Sequence, residues 1–249
     1  MSFLNLWLSD LTNGQRKASF ISTSNTPAVS HAYSMMGVIA PIILFCLAWL
    51  LAPYDVLISW HCYKVHAGKE TALKNLLNQT EPFGHGVGVV LAGAVIFSME
   101  DKQRKTGFSL LTSGIGAGLL ADLMKLFVAR CRPRDFDFAS FSGMGTFLEW
   151  LPGFGQGSCS QSFPSAHSAT AMGMAIMLST IYPRGRWLFA FLAWLVMGHR
   201  LHLGAHYLSD ILVGAGIGWL FAVWCVRLAV RFRYLVLEDS LEQPRNNEL

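Results

Sequence analysis

The chain has 249 residues, 53% of them hydrophobic and 14% charged, with a formal net charge of +4 and a mean hydropathy of +0.40. A water-soluble domain carries about a quarter charged residues, so this deficit excludes an ordinary soluble globule and points to a polytopic membrane protein. The modest positive charge does not describe a nucleic-acid binder; where it lies along the chain says more than its sum.

Residues 1–33 are polar, apart from the short run Phe3-Leu4-Asn5-Leu6-Trp7-Leu8, which is too brief to span a bilayer. This run lacks the basic start and small-residue cleavage site of a signal peptide. It suits an interfacial helix or a disordered tail. A first apolar span follows over 33–58, uncharged until Asp55. Residues 59–82 form a polar connection, and 84–99 a second, Gly-rich apolar segment that needs its flanks to cross a bilayer. After the charged turn at 100–105, a third span over 106–128 carries Gly114-Ile115-Gly116-Ala117-Gly118, a small-residue face for close helix packing.

Residues 129–163 make the longest loop, without a convincing period, and a loop of this length is usually functional or disordered. Its Phe136, Phe138, Phe141, Phe147, Trp150, Leu151 and Phe154 give it an apolar character suited to the membrane interface. The fourth, fifth and sixth spans are expected over 165–181, 187–199 and 207–228. The expected fold class is therefore all-α, a six-transmembrane-helix bundle over 34–230, between an N-terminal segment at 1–33 and a cytoplasmic tail at 231–249. Of the five cysteines, none has metal-ligand spacing. Cys46 and Cys225 fall in apolar runs, whereas Cys131 and Cys159 share one loop, which allows a disulfide in an oxidising compartment.

Six crossings put Arg16-Lys17, Lys102, Arg104, Lys105, Arg184, Arg186, Arg227, Arg231 and Arg233 on one side, which the positive-inside rule makes cytoplasmic. Both termini then face the cytoplasm, the arrangement of a multi-pass inner or plasma membrane protein. The opposite, periplasmic or exterior side receives the long loop, including Arg130, Arg132 and Arg134, and basic residues on that side fit the binding of an anionic group.

Three polar clusters fall at that face. Lys125 to Arg134 leave the third span with Lys125, Arg132 and Pro133, and Asp122 lies one turn before Lys125. Helix-end cations also snorkel to headgroups, which is their structural alternative. Pro164-Ser165-Ala166-His167 open the fourth span. Proline and serine there are good capping chemistry, and a helix N-terminus also offers free N–H groups to a phosphate oxygen. The third cluster, His199 to Asp210, contains Arg200, His206 and Asp210. If the chain is helical from Tyr207, His206 and Asp210 lie four apart within contact reach. A histidine held by a carboxylate beside an arginine suits attack on phosphorus, and a second histidine can protonate a leaving alkoxide. Polar groups between apolar runs also glue membrane helices together. The residues alone do not decide which histidine attacks. No grouping resembles a divalent-metal site; cations and N–H donors would stabilise the phosphoryl charge instead.

At these residues the chain resembles the type 2 phosphatidic-acid phosphatase family, the membrane branch of the superfamily that includes vanadium haloperoxidases. The family's signature, K-x6-RP, then PSGH, then SR-x5-H-x3-D, reads here as Lys125…Arg132-Pro133, Pro164-Ser165-Ala166-His167 and Arg200…His206…Asp210. The match covers roughly residues 106–225. Ala166 stands for the usual glycine, and His199 for the serine before Arg200, whose hold on phosphate must be taken over or missed. The resemblance implies that His206 attacks phosphorus to give a phosphohistidine, that Asp210 orients it, and that His167 protonates the leaving group and later activates water. Lys125, Arg132, Ser165, Ala166 and Arg200 would bind the phosphate. It implies no cofactor or metal, and a lipid phosphate as substrate among membrane lipids. A phosphotransferase using the same intermediate, or a non-catalytic lipid-binding or transport relative, are the alternatives.

Overall fold

The computed structural model describes residues 26–64, 71–99, 104–140, 143–154 and 157–232. The expectations for the Phe3–Leu8 run, the Arg16-Lys17 pair, part of the 100–105 turn and the tail beyond 232 lie outside them. The chain divides into two units, Met1–Ala32 and Tyr33–Leu249, and the second holds the helix bundle and the three signature clusters.

Each of the six expected spans forms a helix, because long uncharged runs leave the backbone no partner but itself in a lipid environment. Helix α1 (Thr26–Leu51) ends at a Pro53-containing turn and continues through α2 (Asp55–Ser59). Helix α3 (Ala72–Thr80) is capped by the Thr71 hydroxyl and meets α4 (Gly86–Met99) through the turn Glu81–Gly84. Helix α5 spans Arg104–Met124, α6 Ala166–Ile181, α7 Arg186–His202 and α8 Leu208–Arg231. The expected fifth span thus runs on through the motif residues to His202.

Among the described residues three helical stretches are long and apolar enough to cross a membrane: Gly37–Lys64, Arg104–Met124 and Leu208–Arg231. A fourth emerges if α3 and α4, bent by 63°, count as one broken span. At 16 and 17 residues, α6 and α7 fall short of the roughly 20 residues a straight crossing takes. Leu47, Trp49 and Leu50 of α1 and Trp187, Leu188, Phe191 and Trp194 of α7 are exposed; side chains of this size facing outward in rows suit hydrocarbon, not water.

The long loop is more regular than its sequence suggests. Strand β1 (Val128–Arg130) pairs antiparallel with β2 (Phe147–Trp150), Val128 opposite Trp150 and Arg130 opposite Phe147, with an irregularity at Ala129/Arg130. The fold is therefore mostly helical with one small hairpin.

Helix α6 forms the centre, its Ala169, Ala171 and Met177 fully buried against α5, α7 and α8. Small residues let the backbones meet. A Cβ at Gly214 would run into the Ser165 carbonyl oxygen, and one at Gly218 into that of Ala169. Ser113 Oγ of α5 donates to the Gly173 carbonyl at 2.8 Å. This close approach makes the second and third motifs of the signature meet, because it brings the first turns of α6 and α8 side by side.

Candidate active site

Helix α7 stops in a tight hydrogen-bonded end. Gly204 N–H donates to Leu201 O and Ala205 N–H to Arg200 O, both at 3.1 Å, with Gly204 in the left-handed region at φ 64°. Glycine suits that conformation, and a Cβ here would also strike the Tyr63 ring. The turn delivers His206 into the interior just before α8 begins.

Ser165 links the clusters. Its N–H donates to Asp210 O at 3.1 Å, tying the start of α6 to the start of α8. Its hydroxyl accepts from Ser168 Oγ at 2.9 Å and Ser168 N–H at 3.4 Å, capping α6. The amides of Ala166 and His167 follow as first-turn N–H groups that the helix itself cannot satisfy. Lys125 Nζ donates to Asp122 Oδ1 at 2.7 Å, the pairing expected from their spacing.

The imidazole of His206 is buried, and its Nδ1 lies 2.5 Å from the Ser162 carbonyl oxygen. A carbonyl only accepts, so Nδ1 carries the hydrogen and Nε2 keeps the lone pair that a nucleophile needs. Burial, then the charges of Arg200, Arg132 and Lys125, push this imidazole well below its ordinary pKa and keep it neutral. Lys125, Arg132 and Arg200 therefore bear on His206. Two buried donors, Arg132 Nε and Arg200 Nε, have no hydrogen-bond partner among the described residues.

Asp210 stands at a different place in this arrangement than the four-residue spacing suggests. His206 precedes α8, whose first residue is Leu208, so the two do not share a helical face. The Asp210 carboxylate accepts from the Tyr207 N–H at 2.9 Å, from the Ser162 hydroxyl at 2.6 Å and from Arg130 Nη1. It reaches His206 through Ser162.

Sequence reasoning missed four residues here. Arg130, expected with Arg132 and Arg134 to face an anionic group, is 1% exposed and lies between the rings of Phe147 and Tyr207, 4.4 and 4.1 Å from their centroids. Asp55, read only as the end of a span, is fully buried and accepts from Arg130 Nη2 at 2.8 Å. Ser162 carried no signal beyond its closeness to Pro164. Glu81, placed in a polar connection, accepts from Arg200 Nη1 at 2.9 Å and sits 3.8 Å from His167 Nε2. Beside it a cavity of about 300 Å³ is lined by Asn78, Glu81, Pro82, His85 and Val87, and the His85 ring lies 5.6 Å from that of His167. An isolated charge on an otherwise apolar helix was the available signal for Asp55; nothing in the spacing marked the others.

His199 is buried with Nδ1 unpartnered among the described residues. Cys131 and Cys159 are free thiols. Among the described residues no group of three or more His, Cys, Asp or Glu could hold a metal ion.

Residues 106–234 match the family model of the PAP2 superfamily. The chain is 35% identical over 124 residues to a lipid A 1-phosphatase of Rhizobium etli, covering 47% of each. It is 40% identical over 78 residues to a lipid A 4'-phosphatase of Bacteroides thetaiotaomicron, covering 28% of this chain and 34% of that one. An undecaprenyl-diphosphatase of Sulfolobus acidocaldarius is 28% identical over 143 residues, 57% of this chain and 62% of its own. The chain spans about half the length of the Rhizobium relative it matches. The crystal structure of a transmembrane PAP2-type phosphatidylglycerolphosphate phosphatase from Bacillus subtilis shares the fold, with a TM-score of 0.50 at 20% identity, over 77% of this chain and 96% of that one.

Proposed function

The chain belongs to the PAP2 superfamily, and from that footing we propose that it is an integral membrane phosphatase that hydrolyses a lipid phosphate monoester or diphosphate through a phosphohistidine. The observation that carries this reading is that the clusters meet: Arg200 Nη1 and His167 Nε2 reach one Glu81 carboxylate oxygen at 2.9 and 3.8 Å, Ser165 N–H ties the start of α6 to Asp210 O at 3.1 Å, and two buried guanidinium N–H donors are left without partners among the described residues. In the proposed cycle His206 Nε2 attacks phosphorus while the bond to the lipid oxygen breaks, and His167 gives its proton to that oxygen. Water then attacks the phosphohistidine, His167 takes a proton from it, the N–P bond breaks and inorganic phosphate leaves. Lys125, Arg132, Arg200 and the first-turn amides of α6 hold the phosphoryl oxygens, the charge stabilisation that metal ions supply elsewhere. Asp210 orients His206 by way of Ser162.

We place the site at the outer, non-cytoplasmic leaflet, with six crossings and both termini cytoplasmic. The clustering of lysine and arginine on the other side under that threading supports this orientation. Lipid A phosphates head the substrate panel because two of the relatives are lipid A phosphatases.

The test is phosphate release by detergent-solubilised protein across lipid A 1- and 4'-phosphates, undecaprenyl diphosphate, phosphatidic acid and phosphatidylglycerophosphate, with and without chelator. The expected result is release from at least one lipid that survives chelator and is lost in His206→Asn. Label passing to a lipid acceptor without free phosphate would instead identify a phosphotransferase. No turnover of any lipid by the intact protein would sink the reading.

A further inference from the structure

Arg130 donates to a ring of buried acceptors: Asp210 Oδ1, Asp55 Oδ2 at 2.8 Å, Ser209 Oγ at 2.9 Å and Thr146 Oγ1 at 3.2 Å. Asp55 in turn accepts from the Ser209 N–H at 3.0 Å and from its hydroxyl. Burial works against the guanidinium charge, but Asp210 and Asp55 outweigh it and raise its pKa. An arginine held this way is a fixed fork, with two aromatic faces closing it above and below.

Arg130 also grips Ser162 from its backbone, since the Ser162 N–H donates to the Arg130 carbonyl at 3.0 Å. Ser162 is therefore held at two points, by Arg130 O at its nitrogen and by Asp210 at its hydroxyl. Its one remaining main-chain group, the carbonyl, accepts from His206 Nδ1. The connection runs Asp55 to Arg130 to Asp210 to Ser162 to His206, and every member is buried.

We propose that Arg130, anchored by Asp55, is a positioning residue for His206, acting through Asp210 and Ser162 to fix the Nδ1–H tautomer and the aim of Nε2. The proposal rests on the reading of His206 as the nucleophile. Arg130 lies outside the three signature stretches' matched positions, and Asp55 lies some seventy residues before the first of them, at the end of the first apolar run. The first helical stretch thus takes part in catalysis without touching the substrate. Outer partners of this kind commonly alter activity by about 10–100-fold when removed.

Four variants in the full-length protein test it. Ser162→Ala removes the hydroxyl but no charge and keeps the carbonyl. Arg130→Lys keeps the charge but cannot reach all four acceptors. Asp55→Asn weakens the anchor. His206→Asn removes the nucleophile. The readouts are kcat and KM for phosphate release and the nitrogen-15 spectrum of His206, assigned by its loss in His206→Asn. Ser162→Ala and Arg130→Lys are expected to lower kcat about 10–100-fold with KM within about twofold, because Lys125, Arg132 and Arg200 are untouched. The His206 signals should move from a single Nδ1–H form toward a mixture of tautomers. A purely structural role would lower the amount of folded protein without altering the tautomer of what remains. If Arg130→Lys fails to fold, Ser162→Ala decides alone. Normal kcat and a normal tautomer in Ser162→Ala overturn the relay, whereas activity persisting in His206→Asn overturns the nucleophile assignment itself.

Discussion

Glu81 and Arg200 show how one side chain shapes the anion site. The carboxylate sits on the guanidinium that the phosphate is expected to need, with His167 Nε2 close by. Glu81 is 38% exposed, so the pair is worth little in energy but competes directly with an anionic ligand. Glu81→Gln should lower KM for a lipid phosphate by about two- to fivefold, the range of a half-exposed ion pair, and mixed-micelle kinetics would read this. His206 makes a second prediction. Its folded pKa is depressed, mainly by burial. The unfolded chain therefore binds a proton below about pH 6.5 that the native protein refuses, and stability falls as pH drops through that value. Thermal scans in detergent at pH 7.5 and 5.5 should show a larger loss for the wild type than for His206→Asn. His167, His206 and Arg200, to which we assign the chemistry, were legible as residues, because ionisable groups between apolar runs are costly enough to signal a task. Ser162 was not, because what it contributes is a carbonyl, which every residue has.

The helices meet where glycine leaves room, and the site depends on that contact. Gly214 of α8 faces the Ser165 carbonyl at the start of α6, and the same two turns share the Ser165 N–H to Asp210 O bond. Gly214→Val should push them apart, cost about 1–3 kcal/mol as overpacking does, and lower kcat along with the unfolding temperature. Gly204→Ala should weaken the end of α7 through its left-handed backbone and the Tyr63 ring; circular dichroism melts with activity assays would compare the two. The Gly114–Gly118 stretch was readable as a packing face from its spacing. Its partner was not, since a small-residue stripe specifies closeness and not which helix comes close. The β1–β2 hairpin escaped notice because three- and four-residue strands carry too little alternation to stand out from a loop.

Across the whole molecule, the apolar helices and outward-facing aromatic side chains make an integral membrane protein. The proposed orientation predicts that Cys159, exposed on the long loop, reacts with a membrane-impermeant maleimide added to intact cells when the other four cysteines are serine. Labelling only after the membrane is broken would reverse the topology. Composition and hydropathy were enough for the membrane class and for the helical segments, because burying backbone in lipid leaves few options. The family was likewise readable, because the three motifs stand in the order and internal spacing of its signature. The number of crossings was not readable in the same way: α6 and α7 are short, and α3 with α4 is bent, so hydropathy alone does not separate a crossing from a broken one. The partner of each buried charge also needed three dimensions. Asp55 and Asp210 are 155 positions apart and meet across Arg130. No local pattern encodes such a meeting, because a buried charge is held by whatever opposite charge and donors the packed helices bring to it, and that is a property of the assembled bundle.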